Sequence, residues 1–240
     1  MEVKVNALVI KAVDYKESDK ILTLYSLERG KITAGIKGVK KSGAKLKFAS
    51  EPFAFCEFIL AEKAGRFTVI GASYLDSFFS LRTNLIKYYA SSVILESVNR
   101  LTVENEPDAE LFSMIINAVK NVNYQDNELI TLVEFLLKIS DFSGYKIEKT
   151  DCEGCGEDIS GRVFFSVRNA EFYCINCRPD YAMEITRETY NGIKNLIKES
   201  KELGDKNSLI KLLKFFKYYL EIKTETRVKS IDALVEFLNL

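Results

Sequence analysis

The 240-residue chain is predicted to be an α+β protein of two domains. A five-stranded OB-type β-barrel is expected over residues 1–78, followed by an all-α domain over 79–240 that carries an inserted four-cysteine hairpin at 151–179. Three observations predict this. The first seventy-odd residues alternate β-rich runs with turn chemistry. From about Leu81 the apolar period changes from two to 3.6. Four of the five cysteines gather between Asp151 and Pro179, in DCEGCGEDISGRVFFSVRNAEFYCINCRP, with helical pattern on both sides.

Val3 to Val13 reads as the first strand, Tyr15 to Asp19 as a polar turn and Ile21 to Ser26 as the second strand. The turn Glu28 to Gly30 leads into a third at Lys31 to Gly38. There Ile32, Ala34 and Ile36 alternate with Lys31, Thr33, Gly35 and Lys37, so one face is core and the other polar and basic. Phe53 to Ala61 forms a fourth strand that is apolar on both faces and is expected to be covered on both, where the helices pack. Phe67 to Ser73 is the fifth. Five short strands fit a small closed barrel of the OB type, a scaffold that binds nucleic acid; a small open sheet capped by the helices is the alternative.

Leu81, Leu85, Tyr88, Ser92, Leu95 and Asn99 trace one side of a long helix. Pro107 opens another carrying Leu111, Phe112, Ile115, Ile116 and Val119, and a third runs near Glu128 to Ser140. After the cysteines, Tyr190, Ile193, Leu196 and Ile197 form one stripe, and Leu209, Leu213, Phe216 and Leu220 the next. Ser230 is the expected N-cap of a last short helix.

Cys152 and Cys155 make one C-x-x-C, and Cys174 and Cys177 another after eighteen residues. That spacing suits a tetrahedral four-thiolate zinc site. With four protein ligands the ion has no open position, so the expected single zinc is structural. Two disulfides or a redox pair compete with this reading. Nothing resembles a signal peptide, which points to a reducing cytoplasm where disulfides are rare.

With no histidine in the chain, His-based triads, H-E-x-x-H proteases and zinc deaminases are excluded. The usual phosphate-cradling glycine loops are also missing, and no apolar run approaches the roughly 20 residues that span a bilayer. The expectation is a protein without catalytic residues, membrane segment or small-molecule substrate. Net charge is zero, but residues 1–50 hold eleven Lys and Arg against five Asp and Glu, leaving 23 against 29 for the remainder. An excess of six positive charges at one end suggests that this end meets a polyanion.

Several motifs carry a family resemblance: ALVIK from Ala7, DYKESDKILTLY from Asp14, ERGKI from Glu28, GIKGVKK from Gly35, EPF from Glu51 and the cysteine hairpin within helices. With these the chain resembles the bacterial RecO family of DNA repair and recombination mediators, along its whole length. The resemblance implies binding of single- and double-stranded DNA, annealing of complementary strands, and partnership with RecR and single-stranded-DNA-binding protein so that RecA is loaded onto coated strands. A cytoplasmic, nucleoid-associated protein is implied. A neutral chain is less basic than such a DNA binder is expected to be, so the expectation is either weaker binding or binding confined more to the N-terminal domain. A zinc-stabilised protein-interaction or regulatory module with little DNA affinity is the alternative, and a carboxylate-metal nuclease a more distant one.

Annealing needs no general acid or base, only cations that lower phosphate repulsion. The candidates are Arg29, Lys31, Lys37, Lys40, Lys41, Lys45 and Lys47, with Arg66 on a later turn. Tyr25, Phe48 and Phe53 either stack on bases or fill the barrel and its contact with the helices. Cys56, in an apolar strand, reads as a small buried hydrophobe.

Overall fold

The computed structural model describes residues 1–200 and 202–239. Two compact units divide the chain, one running to Asp126 and the other starting at Asn127. In the first, β1 (Glu2–Tyr15), β2 (Asp19–Ser26), β3 (Gly30–Ile36), β4 (Phe55–Lys63) and β5 (Arg66–Asp76) close a barrel in the order β1-β2-β3-β5-β4. All neighbours are antiparallel except β3 and β5. Strand β1 is long enough to pair twice, with β4 along Glu2 to Leu8 and with β2 along Ala7 to Tyr15. A register shift between Val9 and Lys11 bends it from one partner to the other.

The alternation in β3 is realised as expected, with Ile32, Ala34 and Ile36 inside alongside Val5, Leu22, Leu24, Phe58 and Leu60. The segment between β3 and β4 adds Val39 and Ala49 to the same core, the latter from a 3-10 turn at Lys47–Ser50. It therefore plugs the barrel as well as carrying charge.

A short turn of helix, α1 (Ser80–Thr83), precedes α2 (Leu85–Leu101) and α3 (Ala109–Tyr124). Asn84 caps α2 by accepting the Lys87 backbone N–H at 3.2 Å, and Asp108 caps α3 by accepting that of Leu111 at 2.8 Å. Phe55 of β4 meets Phe78 and Phe112, each at 6.2 Å between ring centroids, so this strand is covered on its outer face too. The stripe expected on one long helix from Leu81 holds only in part, with Leu81 and Leu95 buried but Leu85 and Tyr88 exposed. Asn84 breaks and restarts the helix, the buried face of α2 becomes Ala90, Ser91, Val93, Ile94, Leu95, Ser97 and Val98, and Leu85 is left 61% exposed.

The second unit holds α4 (Glu128–Phe142), the ribbon strands β6 (Val163–Ser166), β7 (Glu171–Cys174) and β8 (Met183–Ile185), then α5 (Arg187–Ile197), α6 (Lys206–Thr224) and α7 (Lys229–Leu238). The expected hairpin is present as β6 and β7, and β8 adds a third strand on the other side of β6. Three residues are too few to show an alternating pattern. Ser230 lies inside α7, whose N-cap position is Val228 without a side-chain cap. Phe165 of β6 packs against Phe172, Phe215 and Tyr219 at 4.8 to 5.8 Å, which places the ribbon in the core of this unit. Among the described residues no helix is long and apolar enough to cross a membrane.

Candidate metal centre and nucleic-acid interface

Cys152 and Cys155 sit on the turn before β6, Cys174 ends β7, and Cys177 follows on a second turn. The four sulfurs lie within 4.8 Å of one another. A tetrahedral zinc site with bonds of about 2.3 Å needs sulfurs about 3.8 Å apart, so the set could hold such an ion after small adjustments. Two further features fit a metal clip. A Cβ on Gly154 would fall 2.6 Å from Cβ and 3.0 Å from Sγ of Cys177, so only glycine lets the first turn lie against the second. The Cys174 backbone N–H donates to Cys152 Sγ at 3.3 Å. Burial pushes the Cys152 thiol up, but N–H groups of Cys174, Cys155 and Gly154 outweigh it, helped by the Cys155 thiol, and bring it down to about 6. Cysteine Cys56 is elsewhere, in the barrel core, where burial pushes its thiol up to about 12 despite the nearby Arg82.

The outer face of the β2–β3 pair is divided. Its first half, where Tyr25 faces Lys31, lies beneath the helices. Tyr25 stacks on Phe112 at 6.5 Å, and Lys31 Nζ donates to the carbonyls of Asn99, at 2.8 Å, and Thr102 at the C-terminal end of α2. Burial lowers the Lys31 pKa, with Glu104 opposing. Its ammonium therefore serves as a tertiary cap for α2, in the position where a cation offsets the helix dipole. Of the seven basic candidates it is the one whose charge points into the protein. The second half of the face, with the pairs Thr23 opposite Thr33 and Ile21 opposite Gly35, is partly open to solvent.

Lys37, Lys40, Lys41, Lys45 and Lys47 are all exposed. They lie along the segment that leaves β3 beside this open half. Its start is pinned to the β1–β2 turn, since the Gly38 N–H donates to Asp19 Oδ1 at 2.8 Å and the Lys40 N–H to the Ser18 carbonyl at 2.9 Å. Lys40 Nζ is paired with Asp14 at 2.6 Å. Among the described residues Lys37, Lys41, Lys45 and Lys47 have no ion-pair partner. Arg29 is half-buried at the β2–β3 turn, and Arg66 is exposed at the β4–β5 turn. Phe53 is buried against Tyr88 at 5.6 Å, while Phe48 is half-buried against Tyr74 at 4.5 Å. Sequence reasoning missed Lys16, exposed on the turn that holds the segment, because it lies in a separate strand connection.

The family description "Recombination protein O N terminal" matches residues 1–78, and "Recombination protein O C terminal" matches residues 82–232. A curated relative named "DNA repair protein RecO" from Desulforamulus reducens is 31% identical over 236 residues, covering 93% of this chain and 91% of the relative. One of the same name from Caldicellulosiruptor saccharolyticus is 28% identical, covering 96% of each. Another from Shouchella clausii is 32% identical over 175 residues, covering 72% of this chain and 68% of its own.

Proposed function

The chain belongs to the recombination protein O family of DNA repair proteins, and from that premise we propose that it is a non-enzymatic mediator that binds single- and double-stranded DNA and anneals complementary strands. With RecR it helps to load RecA onto strands coated with single-stranded-DNA-binding protein in the bacterial cytoplasm. The observation that carries the DNA-binding part is the run of exposed lysines on a segment anchored to the barrel, four of them without an ion-pair partner among the described residues. Uncommitted ammonium groups beside a partly open barrel face can follow a phosphate backbone and displace its counterions. Base pairing supplies the driving free energy for annealing. The protein's part is to lower the repulsion between two polyanions, for which Lys37, Lys41, Lys45 and Lys47 are the leading groups and Lys40 and Arg29 secondary ones.

Cys152, Cys155, Cys174 and Cys177 hold one structural zinc in this reading. A closed four-thiolate ion cross-links the ribbon and leaves no coordination position for water or substrate.

The test is a salt titration of oligonucleotide binding, with annealing assayed at low salt, on the wild type and a Lys41→Ala, Lys45→Ala, Lys47→Ala variant. The wild type is expected to bind and anneal with affinity falling steeply as salt rises. The variant should lose roughly 0.7 from the log-log slope for each contact removed on single strands. A wild type that neither binds nor anneals at low salt would overturn the proposal.

A further inference from the structure

Two exposed tyrosines bracket the basic segment. Tyr15 ends β1 at the turn to which the segment's start is hydrogen-bonded, and it is 47% exposed, with Lys16 Nζ 5.3 Å from its ring centroid. Tyr74, on β5, touches the segment's other end, where its ring lies 4.5 Å from that of Phe48 and its hydroxyl donates to the Phe48 carbonyl at 3.4 Å. It is 42% exposed. Between them lie Lys41, Lys45 and Lys47. Single exposed aromatics are ordinary on a protein surface. Here one sits beside the turn that pins the start of an element and the other touches that element's far end, and the element carries unpaired positive charge.

We propose that Tyr15 and Tyr74 are base-stacking platforms for single-stranded DNA, with the intervening lysines following its phosphates. The inference rests on the DNA-binding reading above and adds strand type to it. Unpaired bases offer π-faces that a duplex keeps stacked inside, so exposed rings favour single strands, whereas lysines serve both forms. Stacking also engages a base through its face. Its pairing edge stays open to a complementary strand, which is what an annealing protein requires and what edge-reading hydrogen bonds would prevent.

The chain has no tryptophan, so Tyr15→Trp and Tyr74→Trp each introduce a lone fluorescent reporter. Oligo(dT) is expected to quench both, and a blunt duplex of equal length to leave them unquenched. A Tyr15→Leu, Tyr74→Leu variant keeps apolar bulk against Phe48. It should lose about tenfold in single-strand affinity per ring, with duplex affinity and salt slope unchanged. Circular dichroism and melting check that the barrel is intact. Unquenched reporters, or a double variant with wild-type oligo(dT) affinity, would overturn the assignment; if the lysine variant still loses binding, the DNA-binding reading stands. A wild type that binds no DNA overturns both.

Discussion

Lys31 and Lys47 look alike in the sequence, both being lysines in a basic stretch, and the structure separates them completely. Strand alternation places Lys31 correctly on the outer face of β3, but the carbonyls that receive its ammonium belong to Asn99 and Thr102, about seventy residues on. Local pattern has no access to that contact. Its neighbour Gly30 is constrained by the same approach: at φ +64°, an added Cβ would lie 2.1 Å from the Glu106 carbonyl oxygen. Replacing Lys31 with Met retains the stem and removes the donor, leaving the end of α2 without its cation. The expected cost is about 1–3 kcal/mol in urea unfolding, with no change in the salt slope of DNA binding. A slope change equal to that of the Lys41, Lys45 and Lys47 variant would return Lys31 to the DNA surface. Gly154 is a counterpart in the ribbon. Gly154→Ala drives a methyl into Cys177, and metal analysis should find less than the roughly one zinc per chain expected of the wild type.

At the scale of elements, the segment between β3 and β4 joins stability to the proposed DNA contact, because Val39 and Ala49 enter the barrel core while its lysines face solvent. Its anchors are acidic. The Gly38 N–H holds the Asp19 carboxyl below its ordinary 3.8 against a smaller opposing effect of burial, with Ser18, Lys16 and Lys37 adding to the lowering; Lys40 does the same for Asp14. A depressed folded pKa means that the anchoring is fully present above pH 3.8 and is lost as the pH falls through the lower folded value. The protection factor of the Gly38 amide should therefore be flat from neutral pH to about 4 and drop below it, and Asp19→Asn should remove the drop. Protection that persists unchanged to pH 2 would contradict this. The sequence foretold the elements well where chemistry is local: five strands from β-rich runs and turn residues, α3 and α4 from their stripes, the β6–β7 hairpin from the β-rich runs Val163 to Val167 and Phe172 to Tyr173 between the cysteine pairs. It failed where context decides. Asn84 reads as one more polar helix residue until its side chain caps Lys87 and shifts the buried face of α2, and Met183 to Ile185 becomes a strand only because β6 has a free edge beside it.

At the scale of the whole molecule, the charge excess and the cysteine cluster fall in different units. The excess of six positive charges in residues 1–50 lies in the barrel unit, and the four clustered cysteines lie in the unit that starts at Asn127. If zinc is a staple for the second unit, its removal should act there and leave the lysine segment as it was. The route runs through the ribbon: Phe165 and Phe172 bring it against Phe215, Tyr219 and Tyr190, and the Tyr190 hydroxyl donates to the Thr150 carbonyl at 3.0 Å, two residues before Cys152. Loosening the cysteine turns therefore withdraws aromatic partners from α5 and α6, since metal-binding free energy in a small ribbon is also folding free energy. Chelation, or Cys152→Ser or Cys177→Ser, is expected to lower the melting temperature. Hydrogen exchange should rise across residues 127–239 while β1 to β5 keep their protection and the barrel keeps its salt-dependent affinity for DNA. Metal-free protein that melts unchanged would remove the structural role of zinc. A barrel that loses protection together with the helices would show instead that the two units fold as one.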